Sequence, residues 1–232
     1  MKLRRIVTPV VATLLFATLA FASGTTGSLS ADEALHALME GNANFISGNV
    51  EHLVANSQPA RRIDTGTNGQ KPYAIVVTCA DSRLSPEILF DKGIGEVFVI
   101  RVAGNVVAPH ELGSIEYAAE HLGAKLIMVL GHSKCGAVSA AYDYFTTPET
   151  LRPELSNNLE SIVDSIEPAV LQAVAAGSGK AGAEDINVDE VAKQIKKKSR
   201  VIREMMETSG VKIVGGKYDI VSGAVSLHAD HE

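Results

Sequence analysis

Tryptophan is absent from this 232-residue chain, and only 5% of its residues are aromatic. Few flat rings argue against a platform for stacking bases. Positive charge is not in excess: 21 Lys and Arg against 27 Asp and Glu give a formal net charge of −6. That balance offers no electrostatic attraction to a phosphate backbone, so nucleic acid is not an expected partner. Cysteine is scarce, with two residues in the whole chain. A disulfide-built miniature fold is therefore excluded, and 46% hydrophobic content suits one globular α/β domain with its own core. There is no internal repeat and no sign of a second domain. Past the amino-terminal segment no apolar run is long enough to read as a membrane span.

The amino-terminal segment reads as a leader. "MKLRR" is a positive stretch, and "IVTPVVATLLFATLAF" is an apolar one of roughly 15 residues, short of the roughly 20 a span needs. Ala20-Phe21-Ala22 fits the small-x-small cleavage rule. Residues 1–22 are thus predicted to be a signal peptide and 23–232 the mature domain, with an uncleaved anchor as the alternative. No cysteine follows the apolar run, which excludes a lipid-modified cysteine there. The expected destination is outside the cytoplasm, the periplasm in a Gram-negative cell, with no membrane attachment after cleavage. An oxidising compartment makes a Cys79–Cys135 disulfide the default, and free cysteines there need a reason to stay apart.

Three apolar, β-branched runs predict strands: "YAIVVTC" (73–79), "VFVIRVAG" (97–104) and "KLIMVLGH" (125–132). They are continuous rather than alternating, as expected of strands covered on both faces. Between the last two, Leu112, Ile115, Ala119 and Leu122 fall at helical spacing, with Gly123 as the expected cap. Strand–helix–strand predicts a parallel sheet flanked by helices. Ser30 with Glu33 is a capping-box pattern for an amino-terminal helix running to about Phe45. Further helices are expected at about 154–176 and 188–208, with "GSGKAGAED" as a loop between them. The segment "VKIVGGKYDIVSGAVSLH" reads as two short strands. "GSGKA" lacks the first glycine and the final Ser/Thr of a phosphate loop, and "KQIKKKSR" reads as a solvated helix face.

The chemistry concentrates in "TCADSR" (78–83) and "GHSKCGA" (131–137). Cys79 and His132 end predicted strands, where open parallel sheets bind ligands. Cys135 lies three residues after His132. Two thiolates and one imidazole suit Zn²⁺, and three protein ligands leave the open fourth position of a catalytic site. Two residues past Cys79, Asp81 can approach that position, and the forked donors of Arg83 can hold its carboxylate ionised. Each piece has a bland alternative: a disulfide, a satisfied histidine, a local ion pair. Their coincidence in two short segments at strand ends favours the metal.

"CADSR" followed by "HSKC" resembles the C-x-D-x-R and H-x-x-C pair of the β-class carbonic anhydrases, and the resemblance runs from about residue 30 to 228. It implies a β-carbonic-anhydrase-like fold with an amino-terminal helical arm, and reversible hydration of CO₂ to bicarbonate. It implies one zinc per chain on Cys79, His132 and Cys135, with Asp81 either accepting a hydrogen bond from zinc hydroxide or serving as a fourth ligand in a closed state. Arg83 is implied as the clamp of Asp81. Gln70, nine residues before Cys79, and Tyr117 are implied as substrate-pocket residues. A homodimer or tetramer is implied, with the pocket shared across the interface and the helical arm reaching over the partner. Two departures stand out. Lys92 occupies a position where plant-type members carry a pocket phenylalanine, leaving Phe90 or other apolar residues to line the pocket, and no tryptophan is present for the regulatory bicarbonate site of some bacterial members. His110 is a candidate proton relay, with a surface histidine as the plainer reading. Hydrolysis of CS₂ or COS at the same zinc, or a metal-free binding protein with a disulfide, are the alternative functions.

Overall fold

The chain is described by a computed structural model over residues 29–229. The expected leader and its cleavage site lie outside those residues. Helix α1 (Ala31–Ser47) starts as its sequence dictates: the Glu33 N–H donates to Ser30 Oγ, and the Ser30 N–H donates to the Glu33 carboxylate at 2.8 Å. It buries Ala31, Ala34 and Leu38 and stops at left-handed Gly48. Two short helices follow, α2 (Glu51–Ala55) and α3 (Pro59–Asn68), neither of which buries a residue in this chain.

The sheet then forms from the predicted runs. Strand β1 (Ala74–Thr78) leads through helix α4 (Pro86–Leu89) to β2 (Val97–Arg101). Helix α5 (Pro109–Glu120) returns the chain to β3 (Leu126–His132), and α6 (Gly136–Thr146) leaves it. Helices α7 (Asn157–Ala176), α8 (Gly179–Lys198) and α9 (Arg200–Thr208) precede β4 (Lys212–Tyr218) and β5 (Val225–Leu227). The strand order is β2-β1-β3-β4-β5. The first four strands are parallel and β5 is antiparallel. Strands β1 and β3 are buried at every position, as continuous apolar runs predict. The expectation of two covered faces fails for β2, which is the sheet's edge and leaves Phe98 and Val99 half-buried and Arg101 exposed.

Successive β1 and β3 side chains serve opposite layers. Val76, Met128 and Leu130 pack with Leu38 of α1 and with Val163, Ile166 and Val170 of α7. Ile75, Val77, Ile127 and Val129 pack with Ile115 of α5 and with Val188, Val191 and Ile195 of α8. Each such fully buried aliphatic side chain contributes about 1.5–3 kcal/mol. Phe90 is fully buried in the first layer, so it does not line a pocket.

The largest departure from the sequence reading lies at "GSGKAGAED". It is not a loop: after left-handed Gly177 caps α7, helix α8 begins at Gly179. Two glycines near the start cost about 1 kcal/mol each. Burial of Ala183, Val188, Val191 and Ile195 along one stripe outweighs them. The helix expected at 188–208 is also divided, because Ser199 accepts the Ile202 N–H at 3.1 Å and caps a new helix, α9. Helix α5 ends at Glu120 rather than at Gly123, which instead takes the positive φ of the following turn. Strand β4 continues through Gly215 and Gly216. The basic run is solvent-exposed at Lys193, Lys196, Lys197, Lys198 and Arg200, as expected.

Candidate metal centre

Strands β2 and β3 flank β1 on opposite sides, so the strand order switches direction at the carboxyl ends of β1 and β3. That crevice is where an open parallel sheet presents a site. Cys79 follows β1, His132 ends β3, and Cys135 caps the start of α6. All three are buried, and their ligand atoms lie within 4.8 Å of one another. Both cysteines are free, so the pair is a thiol set and not a disulfide.

The histidine tautomer is fixed by its surroundings. Its Nδ1 lies 3.0 Å from the Ser133 carbonyl, which can only accept, so Nδ1 carries the proton. The lone pair of Nε2 faces the two sulfurs, and Nε2 is a buried atom with no hydrogen-bond partner. A buried, unsatisfied nitrogen beside two buried thiols is costly unless something binds there. A soft-ligand cation satisfies all three at once, and Cys₂His is a zinc set.

The thiols are electrostatically prepared for this. The Cys79 thiol is held well below its ordinary range by the Cys135 S–H hydrogen bond, which outweighs burial, with help from His132 and the N–H groups of Asp81 (3.4 Å) and Gly104 (3.3 Å). Cys135 is pushed up by the same partnership and by burial, so the metal-free pair shares a proton that a cation would displace. Burial opposes the charged form of His132, yet the negative charge of the neighbouring Cys79 wins and raises that ring. Gly104 is required at its position: its φ is +69°, and a Cβ there would lie 2.7 Å from Ile166 Cδ1.

Asp81 borders this cluster, with Oδ2 4.0 Å from His132 Nε2. Arg83 grips it as a fork: Nε donates to Oδ1 at 2.8 Å and Nη2 to Oδ2 at 2.6 Å, while the Arg83 backbone N–H adds a bond to Oδ1 at 3.0 Å. These bonds hold the carboxyl well below the usual carboxylate range. Arg83 Nη2 also reaches the Lys134 carbonyl at 3.3 Å and so ties the two ligand-bearing turns together.

Gln70 and Tyr117 fall elsewhere. Gln70 is exposed before β1, and β1 separates it from Cys79 by about 16 Å of strand. Tyr117 projects from α5, 48% exposed, with its ring beside Phe98 and His121. The two line one open cavity of about 790 Å³ with Arg62, Ile94, Gly95 and Leu122. Within one chain they meet each other but not the metal cluster. His110 is exposed in the first turn of α5.

Sequence reasoning missed several site residues. Arg101 donates to the Cys79 carbonyl at 3.1 Å and to the Asp81 carbonyl at 2.6 Å, bracing the first turn from the end of β2. Glu184 accepts the Cys135 N–H at 3.1 Å from α8. The one available signal for Glu184 was a helical stripe of 184, 187, 188, 191 and 195 in which the first two members are polar. Reading 177–185 as a loop concealed it.

Fold and ligand set define a zinc protein of the three-ligand, catalytic kind on an open parallel sheet. Residues 74–225 match the family described as carbonic anhydrase. A carbonic anhydrase of Mycolicibacterium smegmatis is 38% identical over 84% of this chain and 92% of its own length. Among solved structures, the β-carbonic anhydrase CafA of Aspergillus fumigatus superposes with a TM-score of 0.65 at 26% identity, covering 82% of this chain and 91% of that one. A structure from Sordaria macrospora, described as a tetrameric β-carbonic anhydrase, shares the fold at 22% identity and a TM-score of 0.62, covering 84% of this chain and 96% of that one. The chain belongs to the β-class carbonic anhydrase family.

Proposed function

We propose that this protein reversibly hydrates carbon dioxide to bicarbonate and a proton at the Cys79–His132–Cys135 zinc site, with Asp81 and Arg83 as the residues that orient the attacking water. The observation that carries the reading is the buried, partnerless Nε2 of His132 facing two free thiols. Zinc bound there supplies a Lewis acid that makes water ionise near neutral pH, as in the three-histidine carbonic anhydrases.

The protein's own residues do the rest. Arg83 occupies one edge of the Asp81 carboxylate and keeps it ionised at any physiological pH. Held so, Asp81 can only accept hydrogen bonds. A water or hydroxide held beside the cluster would donate a hydrogen bond to Asp81, which would turn an oxygen lone pair toward the carbon of CO₂. The N–H groups of Asp81 and Gly104 hydrogen-bond the Cys79 sulfur and hold the charge of its thiolate. The Nδ1–H bond to Ser133 keeps His132 in the ligating tautomer.

A homo-oligomer completes this reading. Helices α2 and α3 bury nothing in one chain, and the Gln70–Tyr117 cavity is open. A partner laid over that face would bring its Gln70 and Tyr117 to the metal site, Gln70 hydrogen-bonding CO₂ or bicarbonate and Tyr117 walling the pocket. Export rests on the positive and apolar stretches of residues 1–22. Among the described residues no helix is long and apolar enough to cross a membrane.

Stopped-flow CO₂ hydration with metal analysis tests the reading on wild type and on Asp81→Asn. The variant should keep its zinc and lose about 10²–10⁴-fold in turnover. Full turnover by Asp81→Asn would remove Asp81 from the mechanism. A metal-free, inactive wild type would overturn the carbonic anhydrase reading.

A further inference from the structure

The turn that carries Cys135 is strained and gripped from behind. Lys134 sits in the left-handed region at φ +57°, which disfavours a lysine. Three consecutive residues of the β4 end act on this turn. The Tyr218 carbonyl accepts the Ser133 N–H at 2.9 Å, and the Asp219 carboxylate accepts the Ser133 hydroxyl at 3.1 Å. Lys217 acts through Glu184: its Nζ lies 3.0 Å from Glu184 Oε2, and Glu184 Oε1 accepts the Cys135 N–H at 3.1 Å.

Glu184 is 8% exposed, and a carboxylate buried to that degree is retained only when paired and hydrogen-bonded. Lys217 has further anchors in the Ala181 carbonyl and Asp185, both at 3.2 Å. The approach of α8 is built into the sheet: a Cβ on Gly131 or Gly215 would lie 2.5 or 2.9 Å from the Val188 side chain, which fills that notch one helical turn from Glu184. On its outer side the pair faces a cavity of about 630 Å³, lined also by Ser133, Lys134 and Gly136. Glu184 and Lys217 therefore line that cavity together with the ligand turn.

We propose that Glu184, anchored by Lys217, is a positioning residue for the zinc ligand Cys135: its carboxylate fixes the Cys135 backbone and so aims the thiolate. The role rests on the zinc reading above. Bonded to a buried, ion-paired oxygen, the Cys135 backbone is held in place, and with it the point from which the thiolate projects. Freed of that bond, the strained Lys134 relaxes and carries the sulfur with it. Partners of this kind commonly change metal affinity by about 10–100-fold.

The test uses full-length, zinc-loaded protein and the rate of metal transfer to a chelator. Glu184→Ala should release zinc about 10–100-fold faster than wild type. Glu184→Gln, whose amide oxygen still accepts the Cys135 N–H, should recover most of the difference. In the Co²⁺-substituted protein the sulfur-to-metal charge-transfer band should shift in Glu184→Ala. It should stay in place in Lys180→Ala, which alters the same cavity without touching the turn. Wild-type release and an unshifted band in Glu184→Ala would overturn the positioning role. Should that variant not fold, Lys217→Met carries the same decision: faster release supports the pair, unchanged release overturns it. Wild-type protein that takes up no metal would instead overturn the zinc reading itself.

Discussion

The two turns that supply sulfur to the metal site are held in opposite ways. The Cys79 turn is fastened by close neighbours: Asp81 and Arg83 within it, and Arg101 from the adjacent strand. The Cys135 turn is fastened by residues remote in sequence, Glu184 on α8 and Lys217, Tyr218 and Asp219 at the end of β4. The first turn contains its own clamp and is bound to the chemistry at one edge of that clamp. The second is passive and depends on the packing of a helix and a strand. A local clamp can change with the reaction, because the clamped Asp81 carboxylate also borders the metal cluster, its Oδ2 4.0 Å from His132 Nε2. A remote clamp can only hold.

Removing either sulfur should abolish the distinction and give the largest effect. Cys79→Ala and Cys135→Ala should both fail to retain zinc through dialysis and lose CO₂ hydration, as metal analysis would check. Retained stoichiometric zinc in either variant would mean that the remaining sulfur and His132, with the neighbouring Asp81 carboxylate, suffice.

Loosening the local clamp should matter more for chemistry than for metal. In Arg83→Ala, Asp81 loses its largest source of stabilised charge and its carboxyl rises toward the ordinary range. In the wild type the stabilisation from ionised Asp81 is fully present above the ordinary carboxylate pKa and is lost as pH falls through the depressed folded value. In the variant that stabilisation is smaller, and folded Asp81 takes up its proton at a higher pH. The acid limb of the rate profile should therefore move upward while zinc content stays unchanged. An unmoved acid limb would show that Arg83 does not set the charge of Asp81.

Arg101→Met removes two charge-assisted bonds to the carbonyls of the first turn. A loss of about 1–3 kcal/mol in unfolding free energy is expected, read from the denaturant midpoint. Chelator-driven zinc release should rise less than in Glu184→Ala, because the Arg83 clamp remains. The smallest effect is expected at Ser30→Ala, which removes the cap of α1 far from both turns and should cost about 1 kcal/mol with no change in zinc release. Faster release in that variant would show that the site responds to global stability, and the comparison of clamps would then lose its meaning.

The difference between the turns is also a difference in what a sequence reveals. The Asp81–Arg83 fork was legible because its partners are two residues apart, and spacing alone brings them together. The Cys79–His132–Cys135 set was legible because each member ends or follows an apolar run that announces a strand. Glu184 was not legible: its partner is 49 residues away, and glycines around it look like a loop until the apolar stripe behind them is packed. The edge position of β2 was hidden for a related reason, since an apolar run does not say which strand lacks a neighbour. Gln70 and Tyr117 are together in space and apart from the metal in one chain, a separation that no linear spacing conveys.

The sequence by itself determined the strand–helix alternation, the capped α1 and the thiolate–imidazole ligand set with its Asp–Arg pair. Each of these depends on residues near one another along the chain, where sterics, hydrogen-bond reach and hydrophobic period act directly. Only the tertiary structure decided the strand order, the helical state of the glycine-rich segment, the tautomer of His132 and the grip of Lys217 and Glu184 on Cys135. Those depend on contacts between distant segments, whose pairing is fixed by how two apolar layers close over one twisted sheet and not by any local preference.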